Sequence, residues 1–235
     1  MTNSDYTADD SNYLHSNPTW HVEDSPWKAT QILKMIDRNK LTPKTIVEIG
    51  CGAGEILNQL QQRMPDKTIE FSGFEISPDA FKLAQTREKE RLHFYQEDLL
   101  QSNNKYDLLL MIDVFEHVDD YLGFIKKASV RAGYKMFHIP LDMSAFSILT
   151  NYPVGARKNV GHLHYYMKDT ALATLTDCGL EIVDWFYTPG AFEINNKGLT
   201  IFGKFLNLLR RFFYWIRPNF AVKALGGFSL MVLTK

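Results

Sequence analysis

The sequence predicts an α/β fold, a doubly wound and mainly parallel sheet with helices on both faces. Three observations predict it. Short apolar runs alternate with amphipathic stretches of helical length, which is the arrangement that crossover units require. Several runs, DLLLMI above all, are apolar at every position, as strands covered on both faces are. A glycine-rich turn, GCGAG, follows the first strand-like run, IVEI.

Taken in order, residues 1–24 carry only acids among their charges (Asp5, Asp9, Asp10, Glu23, Asp24), and the first of them have little to bury. A mobile acidic segment is expected over 1–24, ahead of one domain over 25–235. SPWKATQILKMIDRN reads as a helix, with Ser25 at the cap, Pro26 in the first turn, and Ala29, Ile32, Leu33 and Ile36 on one face. KTIVEIG is a strand, GEILNQLQQRM a helix and TIEFSGFEI a strand. SPDAFKLAQTREKE is a helix capped by Ser77 with Pro78 behind it, and RLHFYQ is a short strand. YDLLLMID and YKMFHIP are strands flanking the helix DDYLGFIKKAS; KDTALATLTDCG is a helix ending at Gly179, and LEIVDWFYT a strand. The last strand, GGFSLMVLTK, is separated from its predecessor only by an insertion at about 190–224, so an antiparallel direction is expected for it.

Bulk composition excludes several classes. The 45% apolar and 23% charged fractions are those of a globular chain. No run of about 18 apolar residues occurs, and MTNSDYTADD is polar and acidic, so neither a membrane span nor a secretory leader is expected and the chain reads as cytoplasmic. Two cysteines, Cys51 and Cys178, are too few for a disulfide framework or a four-ligand zinc site.

In an open parallel sheet, ligands bind beyond the carboxyl ends of the strands. The residues there are Gly50, Gly52 and Gly54, then Glu75, then Asp98, then Asp113 with Glu116 and His117. Glycines leave no Cβ in the way of a ligand approaching the backbone. A dinucleotide turn is spaced G-x-G-x-x-G and takes a pyrophosphate. Here the spacing is G-x-G-x-G between Glu48 and Glu55, which suits a ligand carrying an ammonium and a sulfonium better than a diphosphate. A carboxylate such as Glu75 accepts ribose hydroxyls in either kind of site, while Asp98 is placed to accept from an exocyclic amine of a phosphate-free adenosine.

VEIGCGAG, FEIS, QEDLL, DLLLMIDVFEHVDD and GHLHYYMKDTALATLTDCGLEIVDWF resemble, in order and spacing, the motifs of the class I S-adenosylmethionine-dependent methyltransferases, in the small-molecule branch near the ubiquinone-biosynthesis O-methyltransferases. The resemblance runs from about Lys44 to Tyr187. It implies a Rossmann-like sheet of seven strands with the last reversed, S-adenosylmethionine as cofactor, and O-methylation of a small-molecule acceptor. It further implies that Glu48, Gly50, Cys51, Gly52 and Gly54 hold the methionine end, and that Glu75, with Ile76 beside it, takes the ribose. Asp98 and the Leu99 backbone take the adenine, and the backbone at Asp113 the methionine amine. Enzymes of this superfamily that methylate base amines carry Asn or Asp, two prolines and an aromatic after the fourth strand; Asp113-Val114-Phe115-Glu116 departs from that, so nucleic acid is disfavoured as partner.

Methyl transfer to oxygen needs the nucleophile positioned and its proton removed. His117 is the candidate base, the alternative being a histidine bonded to the sheet edge. His162 and His164 alternate, so only one can face the site, and the resemblance favours His162. No further ligands stand beside them at a recognisable spacing, and no metal is expected. Trp20, His21 and Trp27 precede the core and are expected to form a lid over cofactor and acceptor, or else to pack the helix onto the sheet.

LTIFGKFLNLLRRFFYWIR, residues 199–217, reads as a helix with Lys204, Asn207, Arg210, Arg211 and Arg217 on one arc and a wide aromatic face on the rest, ended by Pro218. Such a face is expected to be covered: by the body, by a second copy, by an apolar acceptor, or by an anionic membrane surface. The competing functional readings are a non-catalytic module that works through this helix and an NAD-dependent oxidoreductase; the glycine spacing and Asp98 disfavour the second.

Overall fold

The structure, a computed structural model, describes Trp20, residues 22–194 and residues 198–235. Its sheet has seven strands: β1 Thr45–Ile49, β2 Glu70–Phe74, β3 Leu92–Tyr95, β4 Tyr106–Ile112, β5 Ala132–Pro140, β6 Ile182–Thr188 and β7 Ser229–Thr234, in the order β3-β2-β1-β4-β5-β7-β6. The first five are parallel, and β7 enters antiparallel between β5 and β6. Strand order reverses between β1 and β4, which opens the crevice where a ligand belongs.

The strands are apolar throughout because each side chain, in or out, meets a helix. In β4, Leu108 and Leu110 join one core cluster and Leu109 and Met111 the other. The first cluster is closed by α1 (Ser25–Arg38) and α2 (Glu55–Arg63) through Ile32, Leu57 and Leu60. The second is closed by α4 (Tyr121–Ser129) and α7 (Lys168–Asp177) through Ile125, Ala171 and Leu175. A fully buried leucine of this kind stabilises the fold by about 2 kcal/mol, so β4 anchors both layers. Helix α3 (Pro78–Gln85) links β2 to β3.

The structure departs from the sequence reading in local detail. Ser25 is the first helical residue of α1, and Asp24 stands at its cap without a side-chain bond. Ser77 does sit at the cap of α3, but its hydroxyl bonds nothing among the described residues; its N–H donates instead to Glu75. Between β5 and α7 lie two helices that periodicity did not reveal, α5 (Ala145–Leu149) and α6 (Tyr152–Asn159).

The insertion before β7 holds α8 (Gly190–Glu193), α9 (Ile201–Ile216) and α10 (Pro218–Leu225), so Pro218 starts a further helix as well as ending one. Helix α9 has the expected two arcs, but they are turned. Asn207 Nδ2 donates to the Ala191 carbonyl at 2.6 Å, and Arg210 donates to the Leu225 carbonyl at 3.0 Å and to Asn207 Oδ1 at 2.9 Å. These polar groups face the body, where each finds a carbonyl or amide that a leucine would leave unpaired. Phe202, Phe205, Leu208, Phe212 and Trp215 consequently point outward, Trp215 with 83% of its surface exposed. Of the covers expected from the sequence, the body is therefore not the one that meets this aromatic face. The acidic residues 1–19 and His21 lie outside the described residues.

Candidate active site

The crevice between β1 and β4 widens into a cavity of about 740 Å³. Its floor is the turn after β1. Gly50, Gly52 and Gly54 have φ of 68°, 53° and 75°, the left-handed region that glycine adopts without strain. Glu75 fixes this turn, accepting from Gly52 N–H and from Ser77 N–H, each at 2.8 Å. A carboxylate has room for about four hydrogen bonds, so both of its oxygens keep lone pairs toward the cavity. Burial nonetheless raises the Glu75 carboxyl above the usual range against the backbone N–H groups of Ser77, Gly52 and Ile76.

Glu48 ends β1 beneath the turn. It is 1% exposed, its Oε2 has no hydrogen-bond partner among the described residues, and burial pushes its carboxyl well above the ordinary value. A buried, unpaired carboxylate oxygen is costly to leave bare and invites a cationic ligand. Asp98 accepts from Leu100 N–H at 2.9 Å through Oδ1 and lines the cavity with Leu99. Cys51 and Ile76 line it too; the Cys51 thiol is buried and raised well above its usual value, which keeps it protonated. Gly54 does not line the cavity. A Cβ there would lie 2.5 Å from the Phe94 ring, so this glycine lets α2 close on the sheet.

The other wall was largely hidden in the sequence. Asp113, at φ 55°, is held by Lys28 Nζ of α1 at 2.8 Å and by His138 Nδ1 of β5 at 2.6 Å. His138 Nε2 lies 2.9 Å from Thr188 Oγ1 at the end of β6. Burial opposes the Asp113 charge, but His138 and Lys28 outweigh it and hold the carboxyl well below the usual range. One network thus joins α1, β4, β5 and β6 under the cavity. The histidine inside an apolar strand, YKMFHIP, was the signal that could have found it.

Beyond Asp113, a short 3-10 turn presents Glu116 and His117. Glu116 is fully buried, neither carboxyl oxygen has a hydrogen-bond partner among the described residues, and burial beside Asp113 drives its carboxyl well above the ordinary range. His117 Nδ1 lies 3.2 Å from the Gly161 carbonyl, and its ring centroid 4.9 Å from that of His162. His162 in turn meets Asp142 Oδ2 through Nδ1 at 2.5 Å. One donor atom each of Glu116, His117 and His162 lie within 4.8 Å of one another, close enough to hold a metal ion. Spacing gave no sign of this trio, because the loop after β5 brings His162 back over the 3-10 turn. His164 points away, 2.9 Å from the Val118 carbonyl and against Tyr121.

The roof comes from Trp20 ahead of α1, from Trp27 in its first turn, and from the insertion. Trp20 stands over the glycine turn, its Cε3 3.9 Å from where a Gly52 Cβ would be. Trp27 packs edge-on to His138 and donates Nε1–H to Glu193 of α8 at 2.8 Å. With Ile112, Val114 and Val160, these rings make much of the cavity wall apolar.

Comparison with known proteins shows what the chain as a whole resembles. A family model described as a methyltransferase domain matches residues 27–184. The malonyl-[acyl-carrier protein] O-methyltransferase of Acetivibrio thermocellus is 29% identical over 102 residues, 42% of this chain; the match spans only about a third, 35%, of that relative's length. Among solved structures, magnesium protoporphyrin IX methyltransferase of Synechocystis PCC 6803 with bound S-adenosylhomocysteine superposes with a TM-score of 0.58 at 15% identity, covering 97% of this chain and 89% of that one. A SAM-dependent methyltransferase of Thermotoga maritima gives 0.62 at 17% identity, with 95% and 96% covered. The N-methyltransferase NodS of Bradyrhizobium japonicum WM9 gives 0.56 at 18% identity, with 98% and 93% covered. These likenesses establish the fold.

Proposed function

The chain belongs to the methyltransferase-domain family, and from that premise we propose that it transfers the methyl group of S-adenosylmethionine to an oxygen of a small, partly apolar acceptor. The observation that carries this reading is one cavity lined by Glu48, Glu75 and Asp98 at one end and by His117 and His162 at the other. S-adenosylmethionine supplies a methyl carbon already activated by its sulfonium.

The residues present fit that group. The Oε2 of Glu48 and the side-chain-free turn at Gly50 and Gly52 offer an acceptor and open space for an ammonium, whose charge would favour the ionised carboxylate against the burial that raises it. Glu75 keeps acceptor capacity for two ribose hydroxyls, and Asp98 with the Leu99 backbone stands one strand further, where an adenine edge is read. At the other end His117 takes the acceptor's proton at nitrogen. Its Nδ1 is oriented by the Gly161 carbonyl at 3.2 Å, and its Nε2 lies 4.0 Å from Glu116 Oε1. His162, oriented by Asp142, positions the acceptor hydroxyl. Trp20 and Trp27 exclude water from above, the role of a lid. Glu116 lies fully buried behind His117, outside the cavity lining, with its Oε1 4.0 Å from His117 Nε2.

The experiment is calorimetric titration with S-adenosylhomocysteine, with NADH as control, before and after Glu75→Ala. Selective binding of the former, weakened by the substitution, supports the reading; no binding of either overturns it and leaves a non-catalytic module.

A second reading of the acceptor end rests on the convergence of Glu116, His117 and His162. Histidines whose Nδ1 is held by a carboxylate or carbonyl are oriented as metal ligands are. A divalent cation there would lower the pKa of an acceptor hydroxyl directly.

A further inference from the structure

We propose that the outward face of α9, together with α5 and α6, docks the protein on an anionic lipid surface, with the cavity mouth beside the contact.

The face is large and continuous. On α9, Phe202, Phe205, Leu208, Phe212 and Trp215 are all more than half exposed, and Phe146 of α5 packs against Phe202 with ring centroids 6.5 Å apart. Beyond that contact Ile148, Leu149 and Val154 carry the apolar surface onto α5 and α6, Leu149 with 84% exposed. Scattered apolar residues on a surface need no explanation, but a contiguous array of this kind does.

Its cover is chosen by charge. The sequence contains no aspartate and no glutamate over residues 143–168 or 194–235. Lys204, Arg211 and Arg217 on the insertion, and Arg157 and Lys158 on α6, are all exposed beside the apolar residues. A second copy of the same chain would bring these bases against one another, whereas an anionic lipid surface neutralises them and receives the rings. Tryptophan and basic side chains beside an apolar stripe are what the interfacial zone of a bilayer selects. Among the described residues no helix is long and apolar enough to cross a membrane, so the contact lies along the surface.

The fold turns this face out by design of the helix. Asn207 and Arg210, which a solvent-facing arc would carry, spend their hydrogen bonds on Ala191 and Leu225. Tyr152 of α6 is half exposed and also lines the cavity, so the lipid-facing surface and the acceptor end of the site share a rim. An acceptor with an apolar tail would enter from the lipid side.

The test is co-sedimentation of the full chain with vesicles of phosphatidylcholine alone and of phosphatidylcholine with phosphatidylglycerol. Binding to the anionic vesicles is expected, weakened by salt, with a blue shift of tryptophan emission that Trp215→Phe abolishes. Phe205→Glu with Leu208→Glu should weaken binding by at least about tenfold, and Lys204→Gln with Arg217→Gln by a smaller factor. Calorimetric binding of S-adenosylhomocysteine should be unchanged in both, which separates a lost surface from a lost fold or a failed cofactor reading. Failure of the wild type to bind anionic vesicles overturns the proposal. So does equal binding by the Phe205/Leu208 variant, or a lipid-free dimer in which the Trp215 emission is already blue-shifted.

Discussion

Lys28 Nζ lies 2.8 Å from Asp113 Oδ2, an ion pair that ties the helix before the sheet to the end of its central strand. Both side chains are mostly buried, and His138 holds the other Asp113 oxygen. Lys28→Met is therefore expected to cost about 2 kcal/mol, because it leaves a buried carboxylate half paired. Thermal unfolding would show this as a fall in Tm. Since the partners hold the Asp113 carboxyl below its unfolded value, their stabilisation is present above the unfolded pKa and is lost as pH falls through the folded one. The deficit of the variant should accordingly shrink in strong acid.

Glu116 gives the opposite pH dependence. Burial raises its carboxyl, so the folded chain keeps a proton that the unfolded chain releases above its ordinary carboxylate pKa. That contribution is whole below the unfolded pKa and declines as pH rises through the folded one. Glu116→Gln, neutral at every pH, should melt above the wild type at pH 8, and the gap should narrow toward pH 5.

The glycines separate binding from stability. Gly52→Ala carries only the left-handed backbone cost of about 1 kcal/mol and meets nothing nearer than Trp20 at 3.9 Å. It should stay folded and lose affinity for S-adenosylhomocysteine by about tenfold or more, as its methyl enters the ligand's space. Gly54→Ala drives a methyl into Phe94 at 2.5 Å and should cost about 3 kcal/mol. Titration and thermal melts of the pair would show the two losses on different axes.

His117→Asn should lower kcat by about a hundredfold or more and leave cofactor affinity intact, as loss of a general base does. A kcat within a few-fold of wild type would remove His117 from the reaction.

Dialysis against EDTA tests the trio of Glu116, His117 and His162. Activity should survive it if His117 is the base. Loss of activity that a divalent cation restores would assign the trio to a metal.

The legible part of this molecule is the part where function and strand share a local pattern. Glu48, Gly50, Gly52, Glu75, Asp98 and Asp113 each fall at or just beyond a strand end, so finding the strands placed them around one cavity. Gly54 looked the same in the sequence yet packs against Phe94, because a turn's glycines differ only in what lies behind each one. Lys28 and Asp142 were invisible: one sits on an amphipathic helix where lysines usually meet solvent, the other in a loop, and both matter through partners far along the chain. Helix α9 shows a third kind of limit. Its period fixes which residues share an arc, but which arc meets the body depends on carbonyls at Ala191 and Leu225.

The position of β7 bears on how the chain comes off the ribosome. Strand β6 has its pairing partner in β7 alone, and β5 completes its second edge only there. While residues 190–228 are being translated, two strand edges wait with open amides and carbonyls, and the aromatic helix emerges into that interval. Synthesis of this protein therefore places its exposed aromatic helix just ahead of the strand that closes the sheet, and chaperone capture should concentrate in that window.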